Sequence, residues 1–353
     1  MQGLVLVAGE GTRLRPLTFT IPKPLIPVMG KPLVEYILDA MRDAGIVDVC
    51  LVIGHLGNLF QDVLGDGSRL GVKIRYVKQE QRLGIAHAIY RAIEEGVITK
   101  EFVVHLGDNY FEENIRRFVE QFKESNADVF IVLTKYKDPT RFGYVLLQDG
   151  KVTRLIEKPK QPPPGGYTLT GLYMFRDPDL VAKAFRDLRP SWRGEYEITD
   201  LIQWFIDRGY KVGYAITYGW WKDTGTPDDM LELMQMLLDK IETRIEGEVH
   251  GNVIGRVIVE KGAVVEGDIY GPAYIGRDAH VLKGSKIEHY VDIEQGCHIT
   301  SGQLTRTLVL SEAKIEANSA RIVDSIIGRK AMISLNSGQY KIVVGDYSIL
   351  RHL

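Results

Sequence analysis

Apolar residues in the first 136 positions follow two alternating patterns. Short continuous runs rich in Val and Ile predict strands, and they lie at residues 3–9, 47–54, 72–79, 101–108 and 127–136. Apolar residues three and four positions apart predict helices at residues 33–45, 56–64, 84–96 and 113–125. Strands that alternate with helices form a mostly parallel, doubly wound sheet, and ligands bind beyond the carboxyl ends of its strands. We therefore expect functional residues directly after these runs.

The pattern changes after residue 141. Three strand-like stretches, FGYVLLQ, KVTRLIEK and TLTGLYMF, predict an inserted antiparallel section between residues 142 and 175. Helices are predicted next, at about residues 178–187, 195–208 and 226–244. Together these elements predict an N-terminal domain over residues 1–244 that is built on a mixed sheet.

A six-residue repeat begins after residue 245. The aliphatic residues of its unbroken register are Ile269, Ile275, Val281, Ile287, Ile293 and Ile299. Small or compact residues follow four positions after aliphatic ones, at Ala263, Ala273, Ala279, Ser285, Val291 and Cys297. This hexapeptide pattern is typical of a parallel β-helix, in which each coil buries its aliphatic side chains by stacking on the next coil. We predict this all-β domain over residues 245–353.

Composition and charge narrow the possible partners. The 353 residues carry a formal net charge of −2 without a long run of either sign, so neither nucleic acid nor an anionic membrane is an expected partner. The two cysteines, Cys50 and Cys297, lie in separate apolar patterns, which predicts buried free thiols in a reducing compartment. No segment approaches the roughly 20 apolar residues of a membrane span. These features predict a cytoplasmic protein.

The loop after the first strand has the chemistry of a phosphate site. Gly9 and Gly11 bracket Glu10, so that consecutive amide groups can turn toward one anion. Three cations follow, in a stretch that prolines are expected to hold extended; these residues are Arg13, Arg15, Lys23, Pro16, Pro22 and Pro24. The loop is neither a P-loop nor a dinucleotide fingerprint, because the Gly-Lys-Ser/Thr and the third glycine are missing. A basic solvated loop is the alternative.

Two carboxylates are candidates for a metal site. Asp108 ends the apolar run EFVVHLGD, and Asp223, in KDTGTP, follows another predicted strand. Each could simply form a turn or cap a helix. Two carboxylates at one edge of a sheet suit Mg²⁺, which prefers one or two carboxylates together with substrate phosphates.

The series AGEGTRLRPLTFTIPKPLIPV, KQEQRLGIAHAI, HLGDN, FGYV, IEKP, LTGLYMF, GEYEITDL and WWKDTGTP resembles the sugar-1-phosphate nucleotidylyltransferase family over nearly the whole chain. Within that family the chain is most similar to long-form glucose-1-phosphate thymidylyltransferases. The resemblance implies a Rossmann-like α/β N-terminal domain and a C-terminal left-handed parallel β-helix. It also implies a reaction that transfers a nucleotidyl group from dTTP to glucose-1-phosphate with Mg²⁺, forming dTDP-glucose and pyrophosphate.

The same resemblance implies a role for each matching residue. Arg13 and Lys23 would contact the triphosphate, Lys158 would neutralise the sugar phosphate, and Asp108 and Asp223 would bind Mg²⁺; these five are the expected catalytic residues. The expected nucleotide-binding positions are Ala8, Gly9, Gly11, Thr12, Arg13, Gln79 and Gly84. The expected sugar-phosphate-binding positions are Gly143, Glu157, Lys158, Thr170 and Glu195.

Some positions depart from the family pattern. Many bacterial thymidylyltransferases read AGGSGTRL, whereas this chain has Ala8 and Glu10 in that segment, and His87 stands where several relatives have Gln. These departures lie near the expected nucleotide. They leave open a UTP-dependent enzyme acting on glucose-1-phosphate or N-acetylglucosamine-1-phosphate. A non-catalytic subunit that binds nucleotide sugars is a further alternative, although all five expected catalytic residues are present.

The β-helix has two interpretations. An open coil end or flat face favours self-association, so we expect a homo-oligomer. Acetyl transfer is the alternative, because His280, His289 or His298 could serve as a general base. None of these histidines lies in a segment that matches the acetyltransferase signature of bifunctional uridylyltransferases. The expected small-molecule partners remain a nucleoside triphosphate and a sugar-1-phosphate.

Overall fold

The computed structural model describes residues 1–352. The chain forms two compact units, of which the first contains residues 1–10 and 34–223 and the second contains residues 11–33 and 224–353. The domain boundary after residue 244 stays a prediction. No helix among residues 1–352 is both long enough and apolar enough to cross a membrane.

Strands and helices alternate through the first part of the chain, and an antiparallel section follows. The strands are β1 (Gln2–Leu6), β2 (Pro27–Val28), β3 (Lys31–Pro32), β4 (Asp48–Ile53), β5 (Lys73–Lys78), β6 (Phe102–Leu106), β7 (Asn109–Phe111), β8 (Val129–Thr134), β9 (Gly143–Gln148), β10 (Lys151–Glu157), β11 (Tyr167–Phe175), β12 (Val212–Ile216) and β13 (Trp221–Asp223). The helices are α1 (Leu33–Asp43), α2 (Asn58–Leu64), α3 (Ile85–Glu94), α4 (Arg116–Ser125), α5 (Pro178–Asp187), α6 (Ile198–Asp207) and α7 (Pro227–Leu238).

The first unit is built on a nine-stranded mixed sheet. Strands β5, β4, β1 and β6 are parallel neighbours, and β11 runs antiparallel to β6. Strands β9 and β8 are antiparallel to β11, while β10 pairs with β9 and β12 pairs with β8. The buried core contains side chains from the parallel strands and from α3, α5 and α6. The predicted doubly wound sheet with an antiparallel insertion is confirmed.

Two predicted helices have different ends in the structure. The helix expected from about residue 195 begins at Ile198, because Glu197 has an extended backbone with a ψ of 144° and the carbonyl oxygen of Tyr196 accepts from the Ala86 amide instead. The helix expected to reach residue 244 ends at Leu238. Arg244 is already a strand residue, paired with Ile258. Tertiary pairing therefore overrides the local helical pattern at both ends.

Short parallel strands fill the second unit after α7. They are β14 (Arg244–Ile245), β15 (Glu248–Val249), β16 (Val253–Ile254), β17 (Val257–Val259), β18 (Val264–Val265), β19 (Asp268–Tyr270), β20 (Ala273–Ile275), β21 (His280–Val281), β22 (Ser285–Ile287), β23 (Val291–Ile293), β24 (His298–Val309), β25 (Lys314–Ile327), β26 (Met332–Ser334), β27 (Ser337–Tyr340), β28 (Val343–Val344) and β29 (Ile349–Arg351). Every ladder among these strands is parallel, as a left-handed β-helix requires.

The core of the β-helix consists of stacked aliphatic columns. One column runs through Val259, Ile275, Ile293, Val309 and Ile327, which pair successively from coil to coil and are fully buried. The remaining aliphatics of the six-residue register are also fully buried, as are most of the small residues at the predicted corners. The hexapeptide prediction is therefore confirmed, because each coil covers the aliphatic side chains of its neighbour.

Both cysteines are buried and free, as predicted. Burial raises the pKa of Cys50 and of Cys297 to about 12, so both thiols stay protonated at neutral pH.

The aliphatic columns generate a stability prediction. Replacing Ile293 by Ala should lower the free energy of unfolding by about 2–5 kcal/mol, because the side chain is fully buried between two coils. The matched control is Ile254→Ala, since Ile254 is 59% exposed on an early coil and should change that free energy by about 0.5 kcal/mol at most. Urea unfolding followed by circular dichroism measures both changes. Equal effects of the two substitutions would contradict the stacked-column interpretation.

Candidate active site

The two predicted metal ligands lie at one edge of the first unit. Asp108 comes two residues after β6, the parallel strand that ends at Leu106. Strand β7 begins at the next residue, Asn109, and pairs with β13 so that Asp223 stands directly opposite Asn109. Asp108 is thus the chain neighbour of the residue that pairs with Asp223. Both carboxylates are half-buried, and the structure brings these two predicted residues together.

Asn109 fixes the geometry around Asp108. Its amide nitrogen Nδ2 donates to Oδ1 of Asp108 over 2.8 Å. Its oxygen Oδ1 accepts from Nε1 of Trp221 at 2.8 Å and from the backbone amide of Gly171 at 3.1 Å. Because Asn109 is buried, with 4% of its surface exposed, these bonds hold the Asp108 carboxylate at the strand end. Sequence reasoning missed Asn109, although it lies within the HLGDN motif.

Positive charge lies beside the second carboxylate. Nη2 of Arg141 is 3.7 Å from Oδ2 of Asp223. Two half-buried carboxylates with an arginine nearby fit a Mg²⁺ ion that takes its other ligands from phosphate oxygens and water. No group of three or more His, Cys, Asp or Glu side chains that could hold a metal occurs among residues 1–352.

The phosphate loop starts in the first unit. The carbonyl oxygen of Ala8 packs closely against Gly54, where a Cβ atom would lie 2.6 Å from that oxygen. A Cβ atom on Gly9, in contrast, would meet no atom within 4 Å. Space is therefore open on the Gly9 side of the loop. Glu10 forms an ion pair with Arg82, with 2.6 Å between Oε2 and Nη1. This departure from the family pattern thus places an acid in the loop and a cation beside it.

The remainder of the loop belongs to the second unit and is not extended, contrary to the prediction. It forms short 3₁₀ turns at Thr12–Leu14, Leu17–Phe19 and Lys23–Leu25, because proline at the first positions of a turn also fits its fixed φ. Gly11 has a positive φ of 62°, and its carbonyl oxygen accepts from the Thr18 hydroxyl at 2.9 Å. These contacts fold the segment back on itself.

The two predicted phosphate-binding cations differ in exposure. Arg13 is exposed, and its guanidinium lies against Gly225, where a Cβ atom would come within 2.6 Å of Nη2. Lys23 is buried, with 8% of its surface exposed, and its Cβ atom packs near Gly11. Thr12 is exposed at the start of the first turn. The nucleotide roles of these residues stay predictions.

The predicted base-binding residues contact one another. Nε2 of Gln79 lies 3.1 Å from the carbonyl oxygen of Gly84 and 3.0 Å from Nδ1 of His87. Gly84 has a φ of 97°, and a Cβ atom there would lie 2.5 Å from the carbonyl oxygen of Tyr196. Only glycine fits this position without a shift of the backbone. His87 thus orients Gln79, which presents a fixed amide where a base edge is expected.

The predicted sugar-binding residues form a charged cluster. Oε2 of Glu157 accepts from the Thr199 hydroxyl at 3.1 Å, and Oε1 of Glu157 lies 3.5 Å from Nζ of Lys158. Gly143 pairs with Glu157 in the β9–β10 ladder and packs against Thr199, where a Cβ atom on Gly143 would lie 2.8 Å from Cγ2 of Thr199. Burial raises the pKa of Glu157, and the nearby carboxylate of Glu197 raises it further.

Arg193 is the residue of this cluster that the sequence reasoning missed. Its guanidinium lies 3.6 Å from Glu157, 3.1 Å from Glu195 and 3.2 Å from the buried Glu197. One cation is therefore shared by three carboxylates. Arg193 directly precedes the quoted GEYEITDL motif, so extending that motif by one residue would have found it.

Thr170 differs from the other predicted sugar-binding residues. Its side chain is 1% exposed, and its hydroxyl donates to the carbonyl oxygen of Val132 at 2.7 Å. The hydroxyl is therefore engaged within the sheet, and its role toward a sugar stays a prediction.

The histidines that suggested acetyl transfer lie within the β-helix. The rings of His280 and His298 stack with their centroids 4.9 Å apart on successive coils. Nδ1 of His289 is 2.6 Å from the carbonyl oxygen of Gly271.

Known proteins resemble this chain over most of its length. The nucleotidyl transferase family model matches residues 2–240. A glucose-1-phosphate thymidylyltransferase of Streptomyces griseus is 37% identical over 99% of this chain and 98% of that protein. The UTP–glucose-1-phosphate uridylyltransferase AglF of Haloferax volcanii is 35% identical over 68% of this chain and 98% of that protein.

A solved structure of a related protein also resembles this chain. The crystal structure of a proposed glucose-1-phosphate thymidylyltransferase from Bacillus anthracis, in complex with sucrose, has a TM-score of 0.62 and is 34% identical. The match covers 69% of this chain and 97% of that chain. With the adjacent carboxylates, the glycine-rich loop and the charged sugar-side cluster, these similarities show that this chain belongs to the nucleotidyl transferase family, as a sugar-1-phosphate nucleotidylyltransferase.

Proposed function

We propose that the protein transfers a thymidylyl group from dTTP to glucose-1-phosphate, forming dTDP-glucose and releasing pyrophosphate. The observation that carries the proposal is the β7–β13 ladder, which pairs Asp223 with Asn109, the residue that directly follows Asp108. The similarity to the Streptomyces griseus thymidylyltransferase, which extends over both units, supports dTTP as the donor.

The reaction joins two anions, so neutralisation and alignment are its main requirements. A phosphate oxygen of glucose-1-phosphate attacks the α-phosphorus of dTTP, and the bond between that phosphorus and the bridging oxygen of pyrophosphate breaks. No side-chain nucleophile is required. We assign Lys158 to the sugar phosphate, and Arg13 and Lys23 to the triphosphate, where they counter the charge that develops on the departing pyrophosphate.

The residues around Asp108 and Asp223 hold the divalent ion in this proposal. A bound Mg²⁺ would neutralise phosphate oxygens and hold them in line. Asn109 keeps the Asp108 carboxylate oriented through its own bonds to Trp221 and Gly171. The Asp108 carboxylate is therefore fixed before substrate binds, which reduces reorganisation during the reaction.

On the sugar side, Glu157 and Glu195 accept hydrogen bonds from sugar hydroxyls. Arg193 and Lys158 lie within 3.1–3.6 Å of these carboxylates and offset their mutual repulsion. On the nucleotide side, Gln79 reads the pyrimidine edge, and Gly9 and Gly11 allow backbone amides to approach the phosphates.

UTP is the second candidate donor, because the uridylyltransferase AglF covers 68% of this chain. Thymine and uracil share the hydrogen-bonding edge that Gln79 can read and differ by one methyl group. A pocket discriminates against a missing methyl group by only about 1–3 kcal/mol.

A substrate screen tests the donor. We expect kcat/KM for dTTP to exceed that for UTP by about 10- to 200-fold, the range that one methyl group provides, with little turnover of ATP. Pyrophosphate release is measured for dTTP, UTP and ATP, each with glucose-1-phosphate and with N-acetylglucosamine-1-phosphate. A preference for ATP would overturn the pyrimidine assignment, and a preference for UTP would select the second candidate.

Replacement of either carboxylate tests the metal assignment. Asp108→Asn and Asp223→Asn should each lower kcat by about 100-fold or more while the fold survives, because one anionic ligand is lost without a change in shape. Asp149→Asn is the matched control, since Asp149 is exposed in a turn with a φ of 49° that Asn also tolerates. Circular dichroism checks the fold. Near-normal magnesium-dependent rates in one variant would exclude that carboxylate as an essential ligand.

The raised pKa of Glu157 gives a pH-dependent prediction. A raised pKa means that Glu157 takes up a proton at a higher pH than an ordinary glutamate and loses acceptor capacity as pH falls. KM for the sugar phosphate should therefore rise as pH falls through that pKa. The Glu157→Gln variant should have a higher KM for the sugar phosphate at neutral pH. The rise in KM that comes from protonation of Glu157 should be absent, so the dependence of its KM on pH should show only the ionisation of the substrate. Parallel profiles for the two proteins would contradict the role of Glu157.

A further inference from the structure

The segment of residues 11–33, which carries Arg13 and Lys23, ends in a tight hairpin. Strands β2 and β3 pair Val28 with Lys31, which leaves Met29 and Gly30 as a two-residue tip. Both tip residues have positive φ, 52° for Met29 and 73° for Gly30, as the favoured two-residue hairpin turn requires. The backbone amides of such a tip point away from the ladder and need other acceptors.

Two carboxylates of the β-helix supply these acceptors. Oδ2 of Asp292 accepts from the Met29 amide at 2.7 Å, and Oε1 of Glu294 accepts from the Gly30 amide at 2.9 Å. Asp292 is fully buried and Glu294 is 3% exposed. A carboxyl group keeps an acceptor oxygen whether it is ionised or protonated, so both acids can accept from the tip even though they are buried. They recognise the backbone of the tip rather than its side chains.

The fit around the tip is close. A Cβ atom on Gly30 would lie 2.4 Å from the hydroxyl oxygen of Tyr274, and Tyr274 pairs with Asp292 on the adjacent coil. Burial raises the pKa of Asp292 and of Glu294, and the carboxylate of Glu294 raises that of Asp292 further. Two adjacent acids in the wall of a solenoid oppose folding unless they bind something. What they bind is the hairpin tip.

A second contact holds the same segment on the other side of Lys23. The Thr20 hydroxyl donates to Oδ2 of Asp346 at 2.7 Å, and Asp346 is held by Arg329 at 2.6 Å. The backbone of Pro16 also lies close to Gly345, where a Cβ atom would come within 3.0 Å of the carbonyl oxygen. Lys23 therefore lies between two anchored points of the segment, one at Thr20 and one at the tip.

We propose that Asp292 and Glu294 are positioning residues for nucleotidyl transfer: by binding the Met29–Gly30 tip they fix the segment that carries Arg13 and Lys23. This inference rests on the proposed roles of those two cations. It gives the β-helix a part in the reaction besides self-association. Displacement of a catalytic group by about 1 Å can cost about 100-fold in rate, so a mobile tip would lower kcat.

The test compares Asp292→Asn, Glu294→Gln and the double variant with the full-length wild type. These substitutions keep the shape of each side chain but replace one carboxyl oxygen by an amide nitrogen, which donates and cannot accept from the backbone amide. The matched control is Glu266→Gln, because Glu266 is exposed on the same β-helix. Steady-state kinetics give kcat and both KM values per folded protein. Hydrogen exchange of a peptide over residues 26–33 reports the tip directly.

We expect kcat of the double variant to fall about 10- to 100-fold with KM for the sugar phosphate unchanged. Exchange of residues 26–33 should rise, while peptides of the coils at residues 269–299 keep their protection. Unchanged kcat and unchanged tip exchange in the double variant would overturn the proposal. A lower kcat that follows general loss of protection in the coils would also overturn it, because the acids would then serve only stability.

A second perturbation approaches the same contact from the loop. Gly30→Ala should lower kcat and loosen the tip, because the added methyl group meets the Tyr274 hydroxyl. Adding Tyr274→Phe removes that oxygen and leaves the nearest ring carbon at 3.3 Å, so part of kcat and of tip protection should return. Wild-type kinetics in Gly30→Ala would contradict the proposal. Turnover of dTTP and glucose-1-phosphate by the wild type tests the proposed function. The positioning role is tested separately, by the ratio of kcat of each variant to kcat of the wild type.

Discussion

The antiparallel pairing of β7 with β13 is the constraint on which the candidate site depends. It brings Asp223 opposite Asn109 and next to Asp108, although the two aspartates lie far apart in the sequence. The ladder is short, and side-chain bonds reinforce it. Asn109 binds Asp108 on one side and Trp221, a β13 residue, on the other. A buried amide that is bonded through both its nitrogen and its oxygen links the two strands, so the placement of Asp108 depends on side-chain packing as well as on strand pairing.

Charge balance is the second requirement, because the site must attract anionic substrates while containing many acids. Several of the acids have a cation nearby: Arg193 lies beside Glu157, Glu195 and Glu197, Arg82 beside Glu10, and Arg141 beside Asp223. Since Glu157 is mostly buried, pairing only partly offsets its desolvation and its pKa stays raised. The nearby cations therefore offset only part of the negative charge of this cluster.

Sequence alone predicts the features that repeat or that follow directly from strand order. The six-residue repeat predicts the buried columns of the β-helix, and the runs ending at Asp108 and near Asp223 predict the edge of the first unit where the candidate site lies. It does not predict features that depend on distant partners. The 3₁₀ turns replace an extended loop because Thr18 folds back on Gly11, and Arg193 joins the site through carboxylates from other segments. No local pattern contains those contacts.

The two compact units do not meet at a single position in the sequence, because each unit contains two separate stretches of the chain. Residues 11–33 separate from the strand that precedes them and join the unit that contains the β-helix. Buried acids explain this grouping, since Asp292 and Glu294 lose hydration on folding and recover hydrogen bonds from the hairpin tip. A solenoid that served only self-association would have no need for two such acids in its wall. Their burial instead links the integrity of the β-helix to the shape of the segment that carries Arg13 and Lys23.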